Sequence, residues 1–158
     1  MTTSTATRWL SPAEQASWRS YLRGSRLLME ALDSALVEHG VRLTEYEILS
    51  MLSEAPGGRL RMSVLAGLVV QSRSRLTHTA TRLERLGWVE RRSCLEDRRG
   101  VELTLTPTGR KVLEDLARTH VTSVRENFVD LLTPEQFRVV GEAMETVVRA
   151  LSEQHTPR

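Results

Sequence analysis

The chain has one cysteine, Cys94, among its 158 residues, which excludes an internal disulfide framework. Its four histidines are scattered and, with that lone thiol, offer no metal-ligand spacing, so no metal or cofactor is expected. Long apolar runs are missing too: stretches such as LAGLVV fall far short of the ~20 residues a membrane helix needs. The opening MTTSTATRWLSPAEQ contains no basic segment leading into an apolar one, so no export signal is expected and a cytoplasmic protein fits best. Ser/His/Asp constellations, paired carboxylates in apolar settings and Gly-rich phosphate loops are all absent, and the reading is that the chain is not an enzyme. Lysine is nearly absent as well, Lys111 being the only one.

What is present is arginine, unevenly placed. Residues 59–108 hold 10 basic and 5 acidic side chains, a net +5, whereas residues 1–58 and 109–158 stand at −2 and −1. The positive field therefore belongs to the middle of the chain. Within it, Leu76, Ala80, Leu83 and Leu86 recur at helical spacing and define an inward face. Arg73, Ser74, Thr77, His78, Thr81, Arg82 and Arg85 fall opposite, with Arg75 at the edge, and the first acid is Glu84. A helix built for solubility alone mixes its charges a turn apart. This one is cationic and polar along its outer side, as a phosphate-lined groove requires.

The surrounding punctuation places that helix. Ser72 precedes it as a cap and Gly87 ends it. Met62 to Val69 reads as a short helix with Val64, Leu65 and Leu68 inward, so two short helices joined by a tight turn form a helix-turn-helix. Trp88-Val89 and Val101, Leu103, Leu105 alternate as paired strands, with Arg91, Arg92, Arg98 and Arg99 on the hairpin between. Arg59 to Arg61 adds an edge strand. Longer helices flank this unit. Ser11-Pro12-Ala13-Glu14 opens the first, carrying Trp18, Tyr21, Leu22, Leu28, Met29, Leu32, Ala35 and Leu36 to a stop at Gly40. Thr44-Glu45-Tyr46-Glu47 opens a shorter one with Ile48, Leu49 and Leu52. Thr106-Pro107 opens another, with Val112, Leu113, Leu116, His120, Val124, Phe128, Leu131 and Leu132 along one side. Thr133-Pro134-Glu135-Gln136 opens the last.

The expected fold is mainly α with a small β wing: a winged helix-turn-helix over residues 44–106, and a helical dimerisation region over 11–40 and 107–154. The first and last helices carry more apolar surface than one subunit of this size buries, which points to a homodimer seam.

The segments LTEYEILSMLSEA, LAGLVVQSRSRLTHTATRLERLGWVERR and EDRRGVELTLTPTGR together resemble the MarR family of bacterial winged-helix transcription regulators. The Asp-Arg-Arg-Gly tip followed by a strand and Leu-Thr-Pro-x-Gly is the most specific part. The resemblance implies a homodimeric, sequence-specific DNA-binding regulator, a repressor by default, acting on a pseudo-palindromic operator. It implies DNA contacts from Ser63, Ser72, Arg73, Ser74, Arg75, Thr77 and His78, and a wing arginine, Arg98 or Arg99, in the adjacent minor groove. Asp97 would orient a neighbouring arginine. Arg73 reads a base edge or holds a phosphate; Arg82 is a phosphate clamp or the partner of an acid. Trp9, Trp18, Tyr21, His39, Met51 and His120 either line a pocket for a small aromatic or amphipathic effector, where the family binds such molecules, or are plain packing. Cys94, on an exposed wing between arginines, is a candidate redox thiol. A PadR-like regulator and a winged-helix protein-interaction scaffold are the competing readings.

Overall fold

A computed structural model describes residues 7–94 and 100–154. Its elements run α1 (Pro12–Val37), α2 (Leu43–Glu54), β1 (Arg59–Arg61), α3 (Met62–Leu68), α4 (Arg73–Arg85), β2 (Val89–Ser93), β3 (Val101–Leu105), α5 (Pro107–Asn127) and α6 (Pro134–Gln154). The three strands form one antiparallel sheet in the order β1-β3-β2. Val89 pairs with Leu105 and Ser93 with Val101, while Arg59 faces Thr104 across the other edge. The mainly helical winged helix-turn-helix read from the sequence is thus the fold.

Helix boundaries follow local chemistry. At α1, the Ser11 N–H donates to Glu14 Oε2 (2.7 Å) and the Glu14 N–H to Ser11 Oγ (3.3 Å), a reciprocal capping box. Three helices end in the same Schellman turn. The amide that follows the left-handed residue bonds the carbonyl five back: Val41 to Leu36, Gln71 to Ala66 and Trp88 to Leu83. The left-handed residue in these turns is Gly40 (φ +77°), Val70 (φ +50°) and Gly87 (φ +73°).

The core lies under the wing. Leu36, Ile48, Leu49, Leu52, Leu65, Leu76, Leu83, Val89 and Leu103 are fully buried, each contributing roughly 1.5–3 kcal/mol of burial. They come from α1, α2, α3, α4 and the sheet; Leu113 and Leu116 of α5 complete the cluster. The start of α5 is fixed by close approach. A Cβ on Gly109 would lie 2.0 Å from the Trp88 carbonyl oxygen. Beside it, Thr106 Oγ1 accepts from the Gly109 N–H (3.0 Å) and donates to the Gly87 carbonyl (2.7 Å). The Thr-Pro-x-Gly sequence is therefore the weld between wing and α5.

Several expectations fail at element edges. Val64 and Leu68 are half exposed, whereas Leu65 is buried as expected, with Ala66 beside it; α3 has seven residues, too few for period alone to fix its face. Leu86 is exposed because it falls at the C-cap of α4. α2 begins at Leu43, not after Thr44. Its first amide donates to Asp33 Oδ1 of α1 (2.8 Å), and the Arg42 N–H donates to Glu45 Oε2 (2.9 Å). α5 stops at Asn127 because Phe128 takes φ −143°, ψ −64°, and Leu131 is exposed in the turn beyond.

Candidate nucleic-acid interface

Ser72 opens α4 by accepting the Arg75 N–H at 3.3 Å, so its hydroxyl is a cap first. From there Arg73, Ser74, Arg75, Thr77 and His78 emerge exposed from the amino-terminal half of the helix, while Leu76, Ala80 and Leu83 hold the opposite side in the core. Thr77 Oγ1 donates to the Arg73 carbonyl (2.8 Å), which leaves that oxygen as an acceptor. Among the described residues neither Arg73 nor Arg75 has an ion pair. Their charges are held toward solvent at the positive end of the α4 dipole, an arrangement favourable to an anion and unfavourable to itself.

Beside this face lies a 360 Å³ groove lined by Arg61, Met62, Ser63, Arg73, Leu76, Thr77, Gly100 and Val101. It joins the start of α3, the start of α4 and the base of the wing. Ser63, Arg73 and Thr77, three of the residues expected to contact DNA, line it together. Arg61, which is not among the expected contact residues, also lines the groove from its place immediately before α3. Asp97, Arg98 and Arg99 lie outside the described residues.

Other arginines are paired within the chain. Arg82 donates from Nε to Glu45 Oε1 (2.5 Å) and from Nη2 to the Gly40 carbonyl (3.3 Å), so of its two expected roles the structure gives partnership with an acid. Arg91 bonds Glu84 Oε2 (2.7 Å), the Thr77 carbonyl (2.9 Å) and Thr81 Oγ1 (2.9 Å), clamping β2 to α4. Arg92 pairs with Glu90 on its own strand. The cationic surface is consequently narrower than the arginine count suggests.

Cys94 corrects its expectation. Its N–H bonds the Gly100 carbonyl (2.9 Å), extending the hairpin, and its side chain is buried with Sγ 3.7 Å from Glu102 Oε1. A buried thiol beside a carboxylate is not the exposed, cation-flanked group a redox switch needs.

The residues expected to line an effector pocket divide into two places. Trp18 and Tyr21 stack at 5.9 Å on the first half of α1, about half exposed, and Trp9 is more exposed still. His39 and His120 sit at the far end, where His39 Nε2 is 3.5 Å from Thr119 Oγ1 and the His120 ring lies 4.3 Å from that of Tyr46. Met51 packs against the core. Along a helix, Tyr21 and a residue 18 positions later are roughly 27 Å apart, so one subunit does not converge them on one small molecule. His120 Nδ1 is buried with no partner among the described residues, and burial lowers its pKa; burial likewise raises that of Tyr46. Tyr21 instead lines a 710 Å³ groove between α1 and α6, with Leu27, Leu28, Phe128, Phe137 and Val140.

Among the described residues there is no cluster of three or more His, Cys, Asp or Glu able to hold a metal ion, and no helix is long and apolar enough to cross a membrane. A helix whose amino-terminal outer face carries the unpaired Arg73 and Arg75, supported by a second helix and flanked by a hairpin, defines a winged helix-turn-helix protein of the nucleic-acid-reading type. Comparison with known proteins makes this specific. The profile of the MarR family matches residues 41–101. The fold is similar to that of AbsC, a MarR family transcriptional regulator from Streptomyces coelicolor, at 42% identity over 93% of this chain and 99% of that one, with a TM-score of 0.87. It is equally similar to Sco3205 from the same organism, a MarR family regulator solved in complex with DNA, at 43% identity over 90% and 94% of the two chains, TM-score 0.86. The HTH-type transcriptional regulator PecS of Dickeya dadantii is 31% identical, covering 82% of this chain and 73% of its own. The chain belongs to the MarR family of transcriptional regulators.

Proposed function

We propose that two copies of the chain bind one face of a pseudo-palindromic DNA operator, with each α4 in a major groove and each wing against the neighbouring backbone. Half-sites then lie about one helical turn, ~10 bp, apart. The observation that carries this reading is the amino-terminal face of α4: Arg73, Ser74, Arg75, Thr77 and His78 all exposed, without an acid among them. Sco3205, with DNA bound, supports it at 43% identity. The 710 Å³ apolar groove between α1 and α6 supplies the seam for the second copy. Repression follows by excluding polymerase from the operator, which places the protein in the bacterial cytoplasm on the nucleoid.

Within this reading Arg73 reads a base edge, and Ser63 and Arg61 approach phosphate from the start of α3. Arg98 and Arg99 supply the wing contact, with Asp97 orienting one of them. The test is a titration of the wild-type chain and Arg73→Ala against a duplex recovered by selection from a random pool, and against random-sequence duplex. Loss of a bidentate guanine contact lowers affinity for the selected site by about 1–3 kcal/mol and lowers random binding much less. Equal loss on both makes Arg73 a phosphate contact. No binding to any duplex at low salt ends the DNA reading.

A further inference from the structure

We infer that Arg82, although it lies on the DNA-reading helix, is a positioning residue: with Glu45 it latches the recognition helix to the α1–α2 junction and thereby sets how α4 is presented. The inference rests on α4 being the helix that enters the groove, and it goes further by assigning what holds that helix at its angle.

The Glu45 side chain is 3% exposed and that of Arg82 51%, so the carboxylate is the buried, fixed end and the guanidinium comes to it. Both Glu45 oxygens are used, Oε2 by the Arg42 N–H and Oε1 by Arg82 Nε. The other arm of the fork reaches the Gly40 carbonyl, in the left-handed turn that ends α1. The junction is pinned from the α1 side as well: Asp33 accepts from the Leu43 N–H and lies 3.3 Å from Arg42 Nη2. One guanidinium thus bridges three segments, α4, the start of α2 and the end of α1, in a geometry that needs the planar fork and not merely a positive charge. Removing either partner frees α4 to shift over its packed face, and a recognition helix displaced by a fraction of a turn no longer meets the same base edges.

A phosphate clamp and a positioning latch predict opposite signs for one substitution. Glu45→Gln weakens the hold on Arg82. If Arg82 served DNA, releasing it would raise affinity; if it positions α4, affinity falls. The experiment compares wild type, Glu45→Gln, Arg82→Gln, Arg82→Lys and the double Gln variant on the selected duplex over a range of salt. All are held below their melting transitions, with folding followed by circular dichroism. The expected result is about tenfold weaker binding for each single variant, no further loss in the double, no rescue by Lys, and a salt slope equal to that of wild type. A phosphate contact would lower that slope by about one, and Lys would restore it; either outcome overturns the inference. Folded variants that bind as wild type would also overturn it, reducing the pair to a fold contact. Absence of duplex binding by the wild-type chain is a separate result that removes the DNA reading itself.

Discussion

The two halves of this molecule use apolar residues differently. In the winged half, Leu49, Leu52, Leu65, Leu76, Leu83 and Leu103 are sealed from water within one subunit. In the helical half, Leu27, Leu131, Phe137, Val139, Val140, Val147, Val148 and Leu151 remain exposed, and α6 has no buried residue among those described. Composition does not separate them, since both are rich in Leu and Val. Closure does: the winged half has its core closed within the subunit, by Leu36 of α1 and Leu113 and Leu116 of α5, while the outer faces of the long helices present half of a core and a groove. A lone soluble subunit rarely exposes so continuous an apolar face, so the contrast is between a core closed within one subunit and a face that a second copy would cover.

The sharpest way to break the winged half is at its weld to α5. Gly109→Ala places a methyl group 2.0 Å from a backbone carbonyl, where no rotamer change relieves the clash. The expected loss is about 3 kcal/mol or more, near a 10 °C fall in melting temperature for a chain of this size, independent of protein concentration. A melt within about 2 °C of wild type would show that α5 does not seat on Trp88 as described.

A charge in the groove should break the other half in a different manner. Val140→Asp touches no residue of the winged core, so the isolated subunit should keep its fold. Sedimentation should show the dimer dissociating at concentrations about a hundredfold higher than wild type, as a buried unpaired carboxylate requires, and operator binding should fall with it. A variant that stays dimeric at wild-type concentrations would place the seam elsewhere. The comparison is sharpened if Gly109→Ala changes melting without concentration dependence and Val140→Asp does the reverse.

The same contrast explains what could be read in advance. Features set by neighbours in sequence were legible: the Ser11 box, the Thr133–Gln136 exchange of 2.9 and 3.2 Å, the Ser72 and Thr106 caps, the stops at Gly40 and Gly87. Features set by distant segments were not. The start of α2 is decided by Asp33, ten residues away. Arg82 is turned by Glu45, 37 residues away, and Arg91 by α4. Nothing in the spacing distinguishes an arginine held inward from Arg73, which is not. Burial of Cys94 likewise depends on the hairpin closing through Gly100, a contact that residue type does not announce.

The smallest effect lies inside the winged half, in the turn between α3 and α4. Gly40 and Gly87 occupy the left-handed position of their Schellman turns, but the turn between α3 and α4 puts Val70 there, at φ +50° and 90% exposed. A β-branched residue in this region costs of order 1–3 kcal/mol, and no packing offsets it at such exposure. Glycine removes the strain but gains backbone freedom when unfolded, which takes back about 0.5–1 kcal/mol. Val70→Gly should therefore stabilise by about 1 kcal/mol, raising the melting temperature by about 2–4 °C. Because the side chain points away from the core and the turn keeps its amide bonds from Val70 to Gly67 and Gln71 to Ala66, duplex affinity should stay within about twofold. A lower melting temperature would mean that Val70 has a partner in the assembled dimer, and a larger loss of duplex affinity that it has one on DNA.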